Sequence, residues 1–81
     1  MPIYPNPTSG EVFIEFESRE EMEATLNLYD ESGRLIQSGK QLIHEGRNQI
    51  AFHIKGVAEG LYFLHLKNSR FSKLERIVII D

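Results

Sequence analysis

Apolar and polar residues alternate in short runs along this chain. Val12, Ile14 and Phe16 share one face of "VFIEF". In "MEATLNLYD", Ala24, Leu26 and Leu28 share one face and Thr25, Asn27 and Tyr29 the other. "NQIAFHI" aligns Asn48, Ile50, Phe52 and Ile54, and "LYFLHLK" sets Tyr62, Leu64 and Leu66 opposite Leu61, Phe63 and His65. Successive side chains of a strand point to opposite faces, so a period of two predicts half-buried strands. The tail "LERIVIID" is apolar on both faces near its end, which predicts a strand in the middle of a packed sheet. Glu20, Glu21 and Glu23 lend "SREEMEATLNLY" a weak helical preference. Its second half alternates cleanly, and the segment is read as strand.

The breaks between these runs are turn chemistry. "DESGR" (Asp30 to Arg34) predicts a hairpin in which Gly33 takes positive φ, and "HEGRN" (His44 to Asn48) predicts another around Gly46. "KGVAEG" reads as a longer crossing, and "KNSRFSK" is polar around Phe71. About seven short strands between such turns predict an all-β antiparallel sandwich, with Val12, Ile14, Phe16, Leu26, Leu28, Ile50, Phe52, Ile54, Tyr62, Leu64 and Leu66 inside. No linker, low-complexity stretch or internal repeat divides the chain, so residues 1–81 read as one domain.

The opening "YPNPTSG" is the most rigid stretch. Asn6 precedes a proline and is pushed to extended geometry. Pro7 suits the second position of a type I turn, with the Asn6 side chain bonding the Thr8 amide. Gly10 then predicts re-entry into a strand through positive φ.

Composition narrows the function. A domain of 81 residues buries only about 60% of its unfolded surface, so most apolar residues must serve the core. Nine basic and twelve acidic residues give a net charge of −3. That argues against nucleic acid or an anionic membrane as main partner. Without cysteine there is neither a disulfide nor a thiolate metal site. No apolar run approaches the ~18 residues of a spanning helix. "MPIYPNPTSG" has neither the basic nor the apolar region of a signal peptide.

Candidate chemistry is thin. His44, His53 and His65 lie in separate segments without metal-ligand spacing, and surface histidines explain them. Asp30, Glu31 and Ser32 lack the remaining oxygen ligands of a calcium loop, and a hairpin accounts for them. The serines have no elbow motif or evident histidine partner. Glu20 and Glu21 read as a solvated strand entrance rather than a glycosidase pair. Tyr4, Tyr29 and Tyr62 could make a sugar platform, but Tyr62 shares a face with Leu64 and Leu66 and reads as core. "NPT" is no glycosylation acceptor, because proline fills its middle position. The residues therefore predict a non-enzymatic sandwich without cofactor or metal.

In order and spacing, "YPNPTSG", "VFIEF", "LNLYDESGRLI", "EGRNQIAFHIKGVAEGLYFLHL" and "SKLERIVIID" resemble the C-terminal sorting domain of type IX secretion cargo. The resemblance covers Ile3 to Ile80. Its motifs are Pro5, Asn6, Pro7 and Gly10, then Asp30, Gly33 and Arg34, then Gly60 and Tyr62, then Lys73, Arg76, Ile77, Val78 and Ile79. Many members end in or near lysine, where this chain has Asp81. The resemblance implies an Ig-like sandwich at the C-terminal end of a larger secreted protein of Bacteroidetes-type bacteria. The periplasmic cargo would pass through an outer-membrane translocon to a shuttle protein, and a sortase-like cysteine peptidase would commonly remove the domain. The last strand is an attractive element for reading, since a partner can extend an edge strand. A different class, an accessory fibronectin-type or carbohydrate-binding module of a secreted enzyme, would predict an exposed aromatic row, and the chain has no tryptophan.

Overall fold

Alternation along the chain becomes two facing antiparallel sheets. The computed structural model describes residues 1–80; among them are seven strands and no helix. They are β1 (Ile3–Tyr4), β2 (Glu11–Ser18), β3 (Met22–Asp30), β4 (Leu35–Ile43), β5 (Gly46–His53), β6 (Gly60–Lys67) and β7 (Ser72–Ile79). One sheet has the order β1-β2-β5 and the other β4-β3-β6-β7. This is the Ig-like β-sandwich expected of the sequence.

The core lies between the sheets. Val12 faces Phe52 and Ile14 faces Ile50 in one layer, while Leu26 faces Leu66 and Leu28 faces Leu64 in the other. Every position expected inside is buried except Phe16, which is half-buried and stacks on Phe71 with ring centroids 5.1 Å apart. Ala24, Ile43, Ile77 and Ile79 complete the core. Burial of each large aliphatic side chain contributes about 1.5–3 kcal/mol. Among the described residues, no buried side-chain nitrogen or oxygen lacks a partner.

The turns divide into two kinds. "DESGR" is a hairpin as expected: Asp30 Oδ1 accepts from Ser32 N, Ser32 Oγ and Arg34 N at 2.7–2.9 Å, and Gly33 has φ +89°. "HEGRN" is not a hairpin, because β4 and β5 lie in different sheets. The chain there arches from one layer to the other. Asn48 holds the arch from inside, accepting from His44 N at 2.8 Å and donating to the carbonyls of His44, Gly46 and Phe16 at 2.9–3.2 Å. "KGVAEG" crosses between sheets as read, from β5 to β6.

β7 also departs from expectation. It sits at the edge of the four-stranded sheet, not in its middle. Its inward Ile77 and Ile79 are core, whereas its outward Leu74 and Val78 are exposed. The two-faced apolar pattern thus combines a core face with an apolar outer surface.

Candidate functional site

The opening arm crosses from one sheet to the other. Ile3 and Tyr4 pair with β2, and four residues later Thr8 bridges Ile79 in parallel. Thr8 N donates to Val78 O at 2.9 Å, and Ile80 N donates to Thr8 O at 2.8 Å. Asn6 extends the same ladder with its side chain. Its Nδ2 donates to Arg76 O at 3.1 Å, and its Oδ1 accepts from Val78 N at 3.0 Å. A side-chain amide, one donor beside one acceptor, here imitates a strand's main chain. The outer edge of β7 from Arg76 to Ile80 is therefore latched.

This corrects the expected turn. The Asn6 side chain bonds β7 and not the Thr8 amide. The Tyr4–Pro5 and Asn6–Pro7 peptide bonds are both cis. The positive φ of Gly10 is as expected, at +146°. Buried Thr8 organises the approach: its Oγ1 accepts from Gly10 N at 3.1 Å and donates to Glu11 O at 2.6 Å. Gly10 O accepts from Ile54 N at 2.6 Å.

The other motif residues gather at the same end of the four-stranded sheet. Asp30 is opposite Tyr62, which is opposite Ile77, and Gly60 is opposite Ile79. A depression of about 280 Å³ between the Asp30 hairpin and the Gly60–Tyr62 segment marks this end. Lys73 stands apart, opposite Leu66 toward the other end of β7. Asp81 lies outside the described residues.

Most of these residues hold the fold. Arg34 Nε pairs with Asp30 Oδ2 at 3.2 Å. Bonds from the Ser32 hydroxyl and the Arg34 and Ser32 amides, with the Arg34 charge, hold the Asp30 carboxyl below the usual carboxylate range. Tyr62 is buried and donates its hydroxyl to Ala58 O at 2.7 Å, closing a tyrosine corner between β5 and β6. Tyr62→Phe leaves that carbonyl without its donor and is expected to cost about 0.5–1.5 kcal/mol, read as a lower midpoint in urea denaturation. Of the motif side chains on β7, Lys73, Arg76 and Val78 are exposed, while Ile77 and Ile79 are buried.

Alternative chemistry is not assembled. Tyr4 lies beside Phe13 at 5.9 Å on the outside of the three-stranded sheet, Tyr29 lies outside the other sheet, and Tyr62 is inside, so they share no platform. His53 Nε2 meets Glu11 Oε2 at 2.9 Å and His44 Nδ1 meets Glu21 Oε2 at 3.7 Å, while Glu20 pairs with Arg70. Among the described residues no three His, Asp or Glu side chains are placed to hold a metal. One pairing was not legible in sequence: His65 Nε2 and Ser72 Oγ are 2.5 Å apart. Both lie on an exposed sheet face and neither lines the Asp30 depression or the one of about 390 Å³ beside Phe16 and Asn48. The pair links β6 to β7 across the end of their hairpin.

The family model for the secretion system C-terminal sorting domain matches residues 2–80. The chain belongs to that family. No curated protein and no solved structure matches it. The sorting domain is the C-terminal signal of type IX secretion cargo, which implies interaction with the type IX apparatus and type IX-dependent secretion or surface placement. It is a sorting family and not a catalytic one. The match spans the arm and all seven strands.

Proposed function

We propose that this chain forms the C-terminal domain of a larger cargo and that the type IX apparatus reads it as a folded body. The latch carries this reading. The segment by which cargo would enter the domain is hydrogen-bonded to its last strand through Asn6 and Thr8. Cargo tether and last strand are thereby held in one fixed relation, whatever protein precedes them. Pro5, Asn6, Pro7 and Gly10 serve folding and presentation. Asp30, Gly33, Arg34, Gly60, Tyr62, Ile77 and Ile79 build the end of the sandwich behind them. On β7, Lys73, Arg76 and Val78 are the motif residues whose side chains are exposed to a partner.

The route follows the family resemblance: from the periplasm through the outer-membrane translocon to the shuttle protein, with removal of the domain by a sortase-like cysteine peptidase. Strand addition to β7 between Arg76 and Ile80 would require the arm to leave. Reading by exposed side chains does not, and is therefore preferred.

The test is a periplasmic reporter with a signal peptide and this chain at its C-terminus. It is expected to reach the medium or cell surface in a type IX-competent host and to stay periplasmic in the same host without the translocon. Equal distribution in both hosts, with the reporter intact, would defeat the reading.

A further inference from the structure

The two outer faces of the sandwich differ in kind. On the three-stranded sheet, alternation turns Glu11, Glu15 and Glu17 outward, across from Arg47 and His53. A polar ladder covers the middle of this face: Tyr4 Oη donates to Glu15 Oε2 at 2.6 Å, and Gln49 Nε2 donates to Tyr4 Oη at 2.7 Å. It is an ordinary solvated surface with an acidic balance.

The four-stranded sheet is different. Its outward strand positions include Lys40, Lys67 and Arg76 against one carboxylate, Glu23, which lies 4.0 Å from Lys40. Register and alternation place all the large exposed hydrophobics among the described residues on this one face: Leu35, Leu42, Leu74, Val78 and Ile80. Their exposure runs from 38% at Val78 to 60% at Leu74. Half-exposed Phe63 and Leu61 continue the surface, opposite Arg76 and Val78 respectively. Leu35 and Leu42 stand singly on β4 at one edge of the sheet, beyond Glu23, Thr25, Asn27 and Tyr29 of β3, and carry no meaning. Leu74, Val78 and Ile80 with Leu61 and Phe63 cluster around Arg76 along the β6–β7 edge, and such a cluster does carry meaning. A strand with one buried face ordinarily turns polar residues to water. Outward-facing β7 and its extension instead read Leu74, Arg76, Val78, Ile80.

We propose that the β6–β7 part of this outer face is a docking surface for a folded protein partner whose own surface is apolar with carboxylates set among the apolar groups to meet Arg76 and Lys67. This deepens the sorting reading and rests on it. Leu74, Val78 and Ile80 meet the apolar groups, and Arg76 and Lys67 face the partner's carboxylates. The charge decides the occupant. A second copy docking by the same face would set Lys67 and Arg76 against like charges, and the acidic face of a second copy offers the polar Tyr4–Glu15–Gln49 ladder to the apolar cluster. The latch leaves this surface open, because the arm bonds the edge of β7 and not its outer face.

The reporter fusion tests it with three variants. Leu74→Glu with Val78→Glu breaks the apolar cluster, Lys67→Glu with Arg76→Glu reverses its charge, and Ala51→Glu marks the opposite outer face as control. Circular dichroism and thermal melting of the isolated chain verify that each retains the fold. Both face variants are expected to lower export by about tenfold or more, as loss of central interface contacts does, with the control at the wild-type level. Wild-type export from folded face variants would overturn the docking surface and leave the sorting reading standing. Failure of the wild-type fusion to be exported would overturn both. Two measurements on the isolated chain address other occupants. Co-flotation with phosphatidylglycerol vesicles that Arg76→Glu abolishes, or a concentration-dependent dimer that Val78→Glu abolishes, would overturn the protein partner in favour of a lipid surface or a second copy.

Discussion

Ile77→Ala is expected to lower the unfolding free energy by about 2–5 kcal/mol, the cost of truncating a fully buried aliphatic side chain. Ile77 is fully buried and sits opposite Tyr62 on β7. A natural domain has only about 5–15 kcal/mol in total, and one of this size lies at the low end of that range. The variant is therefore expected to be substantially unfolded near its host's growth temperature and to fail in export. Urea denaturation of the isolated chain checks the stability, and reporter localisation checks the export. Unchanged stability would show that β7 contributes little to the core, contrary to its burial.

The same burial changes what a truncation can show. Deleting Lys73 to Asp81 removes Ile77 and Ile79 from the core and Val78 from its bonds to Asn6 and Thr8. Loss of export in that deletion would report loss of fold as readily as loss of a signal. Substitutions on the outward face of β7 separate the two, because Leu74 and Val78 can change without opening the core. A sorting signal that is also a core strand must be dissected face by face.

How much of this was legible in sequence follows from how local each cause is. Strong alternation marked β2, β3, β5 and β6, because each has one face in the core, and β7 was marked by an apolar run on both faces. β4 escaped: "LIQSGKQLI" has Gly39 and polar residues where its partners Leu26 and Leu28 pack, and only Ile43 is buried. β1 is two residues long and has no period to read. "HEGRN" looks like a hairpin because its local chemistry is that of a tight turn. Whether the strands it joins share a sheet is decided by the pairing of β5 with β2, where Asn48 also donates to Phe16 O, a contact 32 positions away along the chain. The site shows the same division. Gly10, Gly33 and the Asp30 cap act within a few residues and were readable. The bond from Asn6 to Arg76 spans 70 positions, and nothing near Asn6 announces it. The apolar outer face was present in the sequence as "RIVII" but was absorbed into the expectation of a central strand.

Gly10→Val is expected to lower the melting temperature by about 5–20 °C and to reduce export in proportion. Two costs combine. Gly10 has φ +146°, a conformation that side-chain-bearing residues adopt only with strain of about 1–3 kcal/mol. A Cβ there would also lie 3.1 Å from Ile54 O, whose own amide is held by Gly10 O at 2.6 Å. For a domain of 60–100 residues each kcal/mol shifts the melting temperature by about 4–8 °C, which gives the expected range. The backbone cannot relax freely. Gly10 N donates to Thr8 Oγ1, and Thr8 is the residue that bridges β7. Strain at Gly10 is thus passed two residues back into the latch and from there to Val78 and Ile80. Gly33→Val is the comparison: Gly33 also has positive φ, +89°, but nothing lies within 4 Å of its would-be Cβ. It carries backbone strain alone, makes no bond to the latch, and is expected to fall less in melting temperature. Scanning calorimetry of both variants beside reporter localisation distinguishes the roles. If Gly10→Val kept full stability yet abolished export, the opening arm would itself be the surface that the secretion apparatus reads, and its assignment as a structural latch would fall.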